Sequence, residues 1–177
     1  MANGILKVGE ITTSSGSGNI TIGSGVTLKS NVPAFEARLN GDQTSITSGT
    51  ATKAQINEEV FDTDNCYDNS TNYRFTPTKA GKYFVYAKAR GQSDNNDLLR
   101  DISVMIYKNG SLEIDHIFLF RNNYERTATP SVFGIVDMNG SSDYVELYGK
   151  ITQPTGTPDG FIGGSRVTLF GAYRIGA

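Results

Sequence analysis

The chain has 177 residues, 37 % of them hydrophobic, with 20 glycines and nine each of tyrosine and phenylalanine; that length suits one domain of ~100–150 residues plus an appendage. A net charge of −2, from 16 basic and 18 acidic residues scattered along the chain, excludes the basic footprint of a nucleic-acid binder and a polybasic membrane patch. One cysteine and one histidine exclude an intrachain disulfide and a histidine-based triad or metal cluster, and no apolar run approaches the ~20 residues of a spanning helix.

Residues 1–32 have their own texture. Ile5, Leu6, Val8 and Ile11 form a short strand-like run, followed by a Ser/Gly/Thr stretch from Thr12 to Gly18 that reads as linker. Ile20, Ile22, Val26 and Leu28 then alternate with polar residues around Gly23-Ser24-Gly25. These eight apolar residues are too few for a core. They suit an attachment arm that pairs with a partner, and a disordered tail is the alternative on composition. The opening Met-Ala-Asn-Gly has neither a basic n-region nor an apolar h-region, so synthesis in the cytosol without a signal peptide is expected.

From Pro33 onward, short apolar alternations are bounded by Gly, Asn, Asp and Pro. The predicted strands are Ala34–Leu39, Lys53–Phe61, Tyr73–Thr76, Lys82–Arg90, Asp101–Lys108, Ser111–Phe120, Pro130–Met138, Asp143–Thr152 and Arg166–Ile175. With no helical periodicity, they predict an all-β sandwich or barrel over residues 33–177.

Two hairpins are expected. At Lys108-Asn109-Gly110, a two-residue loop would set Ile102, Val104 and Ile106 on the face of Glu113 and Asp115. A three-residue loop with a glycine bulge pairs Ile106 with Leu112, Val104 with Ile114 and Ile102 with His116, and is preferred. That register places His116 among apolar side chains. At Asn139-Gly140-Ser141-Ser142, a four-residue loop pairs Val136 with Val145 and Gly134 with Leu147. The opposite face then holds Phe133, Ile135, Tyr144 and Tyr148, an aromatic patch that suits a subunit interface unless a loop or neighbouring strand covers it.

Little side-chain chemistry is visible. Asp62-Thr63-Asp64-Asn65-Cys66-Tyr67-Asp68 lacks the glycine and terminal glutamate of a calcium loop, and an acidic turn is expected there. Asp94-Asn95-Asn96-Asp97 reads as a second solvated turn. Cys66 has no nearby histidine to activate it and is expected to be inert. No cofactor and no metal are expected. The long polar segments Gly91–Leu98, Arg121–Thr129 and Thr152–Gly163 are the candidate recognition loops.

The order of several segments carries a resemblance. Pro33-Ala34-Phe35-Glu36-Ala37, Asn65-Cys66-Tyr67-Asp68, the run Tyr73-Arg74-Phe75-Thr76-Pro77-Thr78-Lys79-Ala80-Gly81-Lys82-Tyr83-Phe84-Val85, Lys108-Asn109-Gly110 and Ser165–Ile175 together resemble the globular head of complement component 1q, in the superfamily of tumour necrosis factor. The resemblance implies a ten-stranded jelly roll that forms a homotrimer. The collagen-like stalk and paired cysteines of the animal proteins are absent from this sequence, as are residues matching the calcium ligands that some heads carry near the trimer apex.

The segments Ile5–Gly9 and Gly18–Leu28 resemble segments of tailed-phage structural proteins, especially of marine hosts. That second resemblance implies a non-enzymatic virion protein, assembled in the host cytoplasm. Residues 1–32 would be an arm docked on capsid or tail proteins. Residues 33–177 would be a trimeric fibre knob that contacts host-surface glycan or protein. Capsid cement, a secreted trimeric ligand and a carboxylate-based depolymerase are the rival expectations.

Overall fold

A computed structural model describes residues 32–121 and 124–176 together with Ser24. The docking residues expected in the arm (Ile5, Leu6, Val8, Ile11, Ile20, Ile22, Val26 and Leu28) lie outside the described residues.

Fourteen strand segments are described: β1 (Ala34–Arg38), β2 (Thr52–Lys53), β3 (Glu58–Asp62), β4 (Tyr67–Asp68), β5 (Arg74–Phe75), β6 (Ala80–Lys88), β7 (Gly91–Gln92), β8 (Asp101–Lys108), β9 (Ser111–Leu119), β10 (Thr127–Ala128), β11 (Ser131–Asn139), β12 (Val145–Thr152), β13 (Gly160–Phe161) and β14 (Leu169–Gly176). One layer is a five-stranded sheet in the order β11-β6-β14-β1-β3. The facing layer runs β4-β5-β12-β8-β9, with β2 also on β12. The two short strands β2 and β5 pair with different stretches of β12, β5 at Val145–Glu146 and β2 at Tyr148–Gly149. A small sheet, β10-β7-β13, ties loops together at one end. The all-β jelly roll expected from the sequence is therefore the observed fold.

The core lies between the layers, where alternate residues of each strand meet. Phe35 stacks on Tyr67 and on Phe75, at 4.5 Å in each case, and meets Phe170 edge-on at 5.1 Å. Phe35, Phe75 and Phe170 are fully buried, each stabilising the fold by roughly 1.5–3 kcal/mol. The Tyr67 hydroxyl donates to the Ile56 carbonyl at 2.9 Å, so its burial leaves no polar group unpaired.

The structure corrects one strand and two hairpins expected from sequence. Lys53–Phe61 is not one strand: β2 and β3 belong to different layers, and the chain between them crosses the sandwich with Ala54 and Ile56 fully buried.

The β8–β9 hairpin turns through the two-residue Asn109-Gly110 loop, both residues having positive φ, and Lys108 pairs with Ser111 and Tyr107 with Leu112. The polarity conflict of that loop is removed one residue later. The register shifts so that Ile106 pairs with Ile114, leaving Glu113 as the extra residue of a bulge. Beyond it Val104 pairs with His116 and Ile102 with Phe118. His116 is exposed on this edge strand, not enclosed by apolar side chains; its Nδ1 lies 2.6 Å from the Ser131 carbonyl oxygen.

The second expected hairpin does not form. β11 pairs with β6 and β12 with β8, in opposite layers. The Asn139–Tyr144 segment spans between the sheets and is tied to the other turn: the Asn109 amide donates to the Tyr144 carbonyl at 3.1 Å, and the Tyr144 amide to Asn109 Oδ1 at 2.9 Å. The same five-residue gap serves a hairpin or a crossover, and side-chain alternation is satisfied by both.

Candidate oligomer interface

Splitting that hairpin separates the four residues expected to share one interface. Phe133 and Ile135 lie on the outer face of the five-stranded sheet, whereas Tyr148 belongs to the facing layer and Tyr144 to the segment that leads into it. There Tyr148 stacks on Tyr107 at 4.1 Å, and the Arg74 guanidinium lies 4.5 Å from the centre of the Tyr144 ring. Lys53 pairs with the buried Glu146 at 2.6 Å on the same face. These tyrosines are half-buried by their own neighbours.

Phe133 and Ile135 join other apolar residues. Register places Ile135 beside Phe84, Phe84 beside Tyr173 and Tyr173 beside Ala34. The next row runs from Phe133 through Tyr86, Gly171 and Glu36 to Phe61. Phe84 is the centre, its ring lying 6.0 Å from Phe133, 5.4 Å from Tyr173 and 6.1 Å from Tyr86. Phe133 remains 67 % exposed and Ile135 58 %, with Phe61 and Tyr173 each 46 % exposed. Apolar residues on the outer face of all five strands, interrupted at β1 by Glu36, have the composition of an interface centre, and not of isolated exposed residues.

Charged pairs border the patch. Lys82 meets Asp137 at 2.6 Å on one side, and Arg38 Nε donates to Glu58 at 3.1 Å on the other. The single acid within it, Glu36, accepts from the Tyr86 hydroxyl at 2.9 Å and pairs with Arg166 at 3.3 Å. Burial, reinforced by Glu36, raises the Tyr86 hydroxyl well above its ordinary pKa, so it stays protonated and donating at neutral pH.

Phe84, Tyr86 and Tyr173 were not singled out in the sequence. The signal for them is the run Tyr83-Phe84-Val85-Tyr86: consecutive strand residues point to opposite faces, so adjacent aromatics require burial on both.

The acidic turns have structural work. Asp62 accepts from the Asp64 and Tyr67 amides at 3.2 and 2.7 Å, and Asp68 from the Thr71 and Ser70 amides at 2.9 and 3.0 Å. Among the described residues no group of three or more His, Cys, Asp or Glu side chains is arranged to hold a metal ion. Cys66 is buried, and that burial raises its thiol pKa. The three candidate recognition loops converge at one end, where β7 pairs with both β10 and β13 and Gln92 donates to Asp159 at 2.7 Å.

No protein-family model matches the sequence, and no curated protein is similar to it. Solved structures are similar in fold. Murine APRIL has a TM-score of 0.59 at 9 % identity, covering 81 % of this chain and 99 % of that one. The globular domain of zebrafish complement 1qA protein has a TM-score of 0.55 at 12 % identity, covering 81 % and 97 %. The Eiger TNF of S. frugiperda has a TM-score of 0.57 at 8 % identity, covering 82 % and 94 %. The jelly roll is thus of the tumour necrosis factor and complement 1q type.

Proposed function

We propose that this chain is a homotrimeric binding head of a virion, a fibre knob or surface protein without enzymatic activity, carried by an N-terminal arm. The observation that supports trimerisation is the apolar outer face of the β11-β6-β14-β1-β3 sheet, centred on Phe84 and flanked by Phe133, Ile135 and Tyr173. A monomer would leave this surface in water; a second copy laid against it removes that cost at roughly 25 cal/mol per Å² of apolar area. The core of the proposed interface carries Glu36 already paired to Tyr86 and Arg166, so closure would not strand an unpartnered charge.

A role in binding, and not in catalysis, is supported by the state of the buried acids. Asp101 accepts from Thr152 at 2.7 Å and Arg100 at 3.3 Å, and Glu146 is held by Lys53. Support for the virion setting comes from the alternating polar arm of residues 1–32. Three arms on one rigid trimer would raise effective affinity for a repetitive shell without further contacts. Mass spectrometry of purified virions tests this: detection in stoichiometric proportion to capsid or tail proteins supports the proposal, and absence from virions overturns it.

A further inference from the structure

A cleft of about 480 Å³, lined by Arg100, Asp101, Leu119, Phe120 and Arg121, opens where β8 begins and β9 ends. Its volume falls within the ~300–1,000 Å³ of small-ligand sites. It belongs to the layer opposite the apolar face described above, so covering that face leaves the cleft's layer outward.

Arg100 is held in place from three directions. Its amide donates to the Thr152 carbonyl at 2.9 Å and its carbonyl accepts from the Phe120 amide at 2.8 Å. Its Nε donates to Asp101 at 3.3 Å. Asp101 is only 5 % exposed, and it also accepts from Thr152 Oγ1 at 2.7 Å, with Lys150 Nζ at 3.8 Å. The acid of the cleft is therefore already engaged. Among the described residues, no carboxylate accepts a hydrogen bond from the terminal guanidinium nitrogens of Arg100 or from the guanidinium of Arg121. A guanidinium pre-positioned by a second carboxylate loses less entropy on taking a planar anion. Beside these cations Leu119 is 57 % exposed and Phe120 half-buried.

We infer that this cleft binds the carboxylate of a uronic-acid-containing saccharide, with Arg100 and Arg121 on the carboxylate and Leu119 and Phe120 against the apolar C–H face of the ring. The combination of planar cations with an adjacent exposed apolar surface matches an acidic pyranose, which carries both features on one rigid ring. The inference rests on the proposed role as a surface-binding head and names the class of polymer it grips. One cleft per protomer gives three per trimer, so weak single-site binding would sum on a polymer.

The test is titration of the full-length protein with trigalacturonate, followed by NMR and calorimetry, alongside a neutral galactose trisaccharide and an Asp/Glu-rich peptide. Saturable binding of trigalacturonate alone is expected, weakened about tenfold or more in Arg121→Gln and in Arg100→Gln. Circular dichroism and sedimentation of each variant are expected to match the parent. No saturable binding, equal binding of the neutral sugar or the peptide, or binding untouched by Arg121→Gln would overturn the assignment. A monomer that binds trigalacturonate would refute trimerisation and keep the cleft; a trimer that does not bind would do the reverse.

Discussion

The Tyr86 hydroxyl reaches Glu36 across Gly171, donating to the carboxylate at 2.9 Å, because Gly171 has no side chain on the strand between them. A Cβ at Gly171 would stand 2.3 Å from the Tyr86 ring. Gly171→Ala is therefore expected to displace Tyr86 and destabilise the protein by ~1–3 kcal/mol. Tyr86→Phe leaves the ring seated and is expected to cost about 1 kcal/mol. Denaturant titration of the two variants checks the order.

The β8–β9 turn separates backbone strain from register. Gly110 has φ +79° and only the Tyr144 hydroxyl near its would-be Cβ, at 3.8 Å. Gly110→Ala is expected to cost ~1–2 kcal/mol through the left-handed backbone alone. Deleting Glu113 removes the bulge while leaving Tyr107 opposite Leu112 and Ile106 opposite Ile114, so the rest of β9 keeps its faces. Cooperative unfolding close to that of the parent, followed by circular dichroism, is the expected result.

Acid should weaken the fold. Amides of Thr71 and Ser70, then the Asn72 side chain, hold the Asp68 carboxyl well below the usual carboxylate range; the Asn109 side chain, then the Asn139 amide and Lys108, lower that of Asp143. A carboxylate with a depressed folded-state pKa contributes stability above its unfolded value near 4, and that contribution is lost as pH falls towards the folded one. Denaturation midpoints are expected to drop below about pH 4, with a shallower drop in Asp68→Asn.

Cys66 is expected to react with a thiol reagent only as fast as the protein opens, since it is buried and its pKa is raised by burial first and by Asp62 and Asp64 after. Labelling at pH 8 with and without denaturant checks this.

Strand existence was legible in the sequence because it is a local property: Asp101–Lys108 is a strand to the residue. Strand partnership was less so. Val132 and Val136 face the core whether β11 meets β12 or β6, and the deciding contacts are distant, such as Ile114 filling the space where Gly134 lacks a Cβ. The bulge at Glu113 escaped for a related reason. In a rigid two-stranded register a two-residue turn sets Glu113 opposite Ile106, and one inserted residue resolves that conflict. Half of the expected interface therefore stands on the apolar sheet face with Phe84 and Tyr173, and the other half on the opposite layer.

The central claim is that the Phe84-centred face joins three copies, and sedimentation equilibrium tests it most directly. The full chain is expected at three times its 19.1 kDa mass. Phe133→Glu combined with Ile135→Glu, both exposed within one protomer, should return the monomer mass with thermal unfolding still cooperative. A parent protein that sediments at 19.1 kDa at tens of micromolar, or a double variant that remains trimeric, would contradict the account.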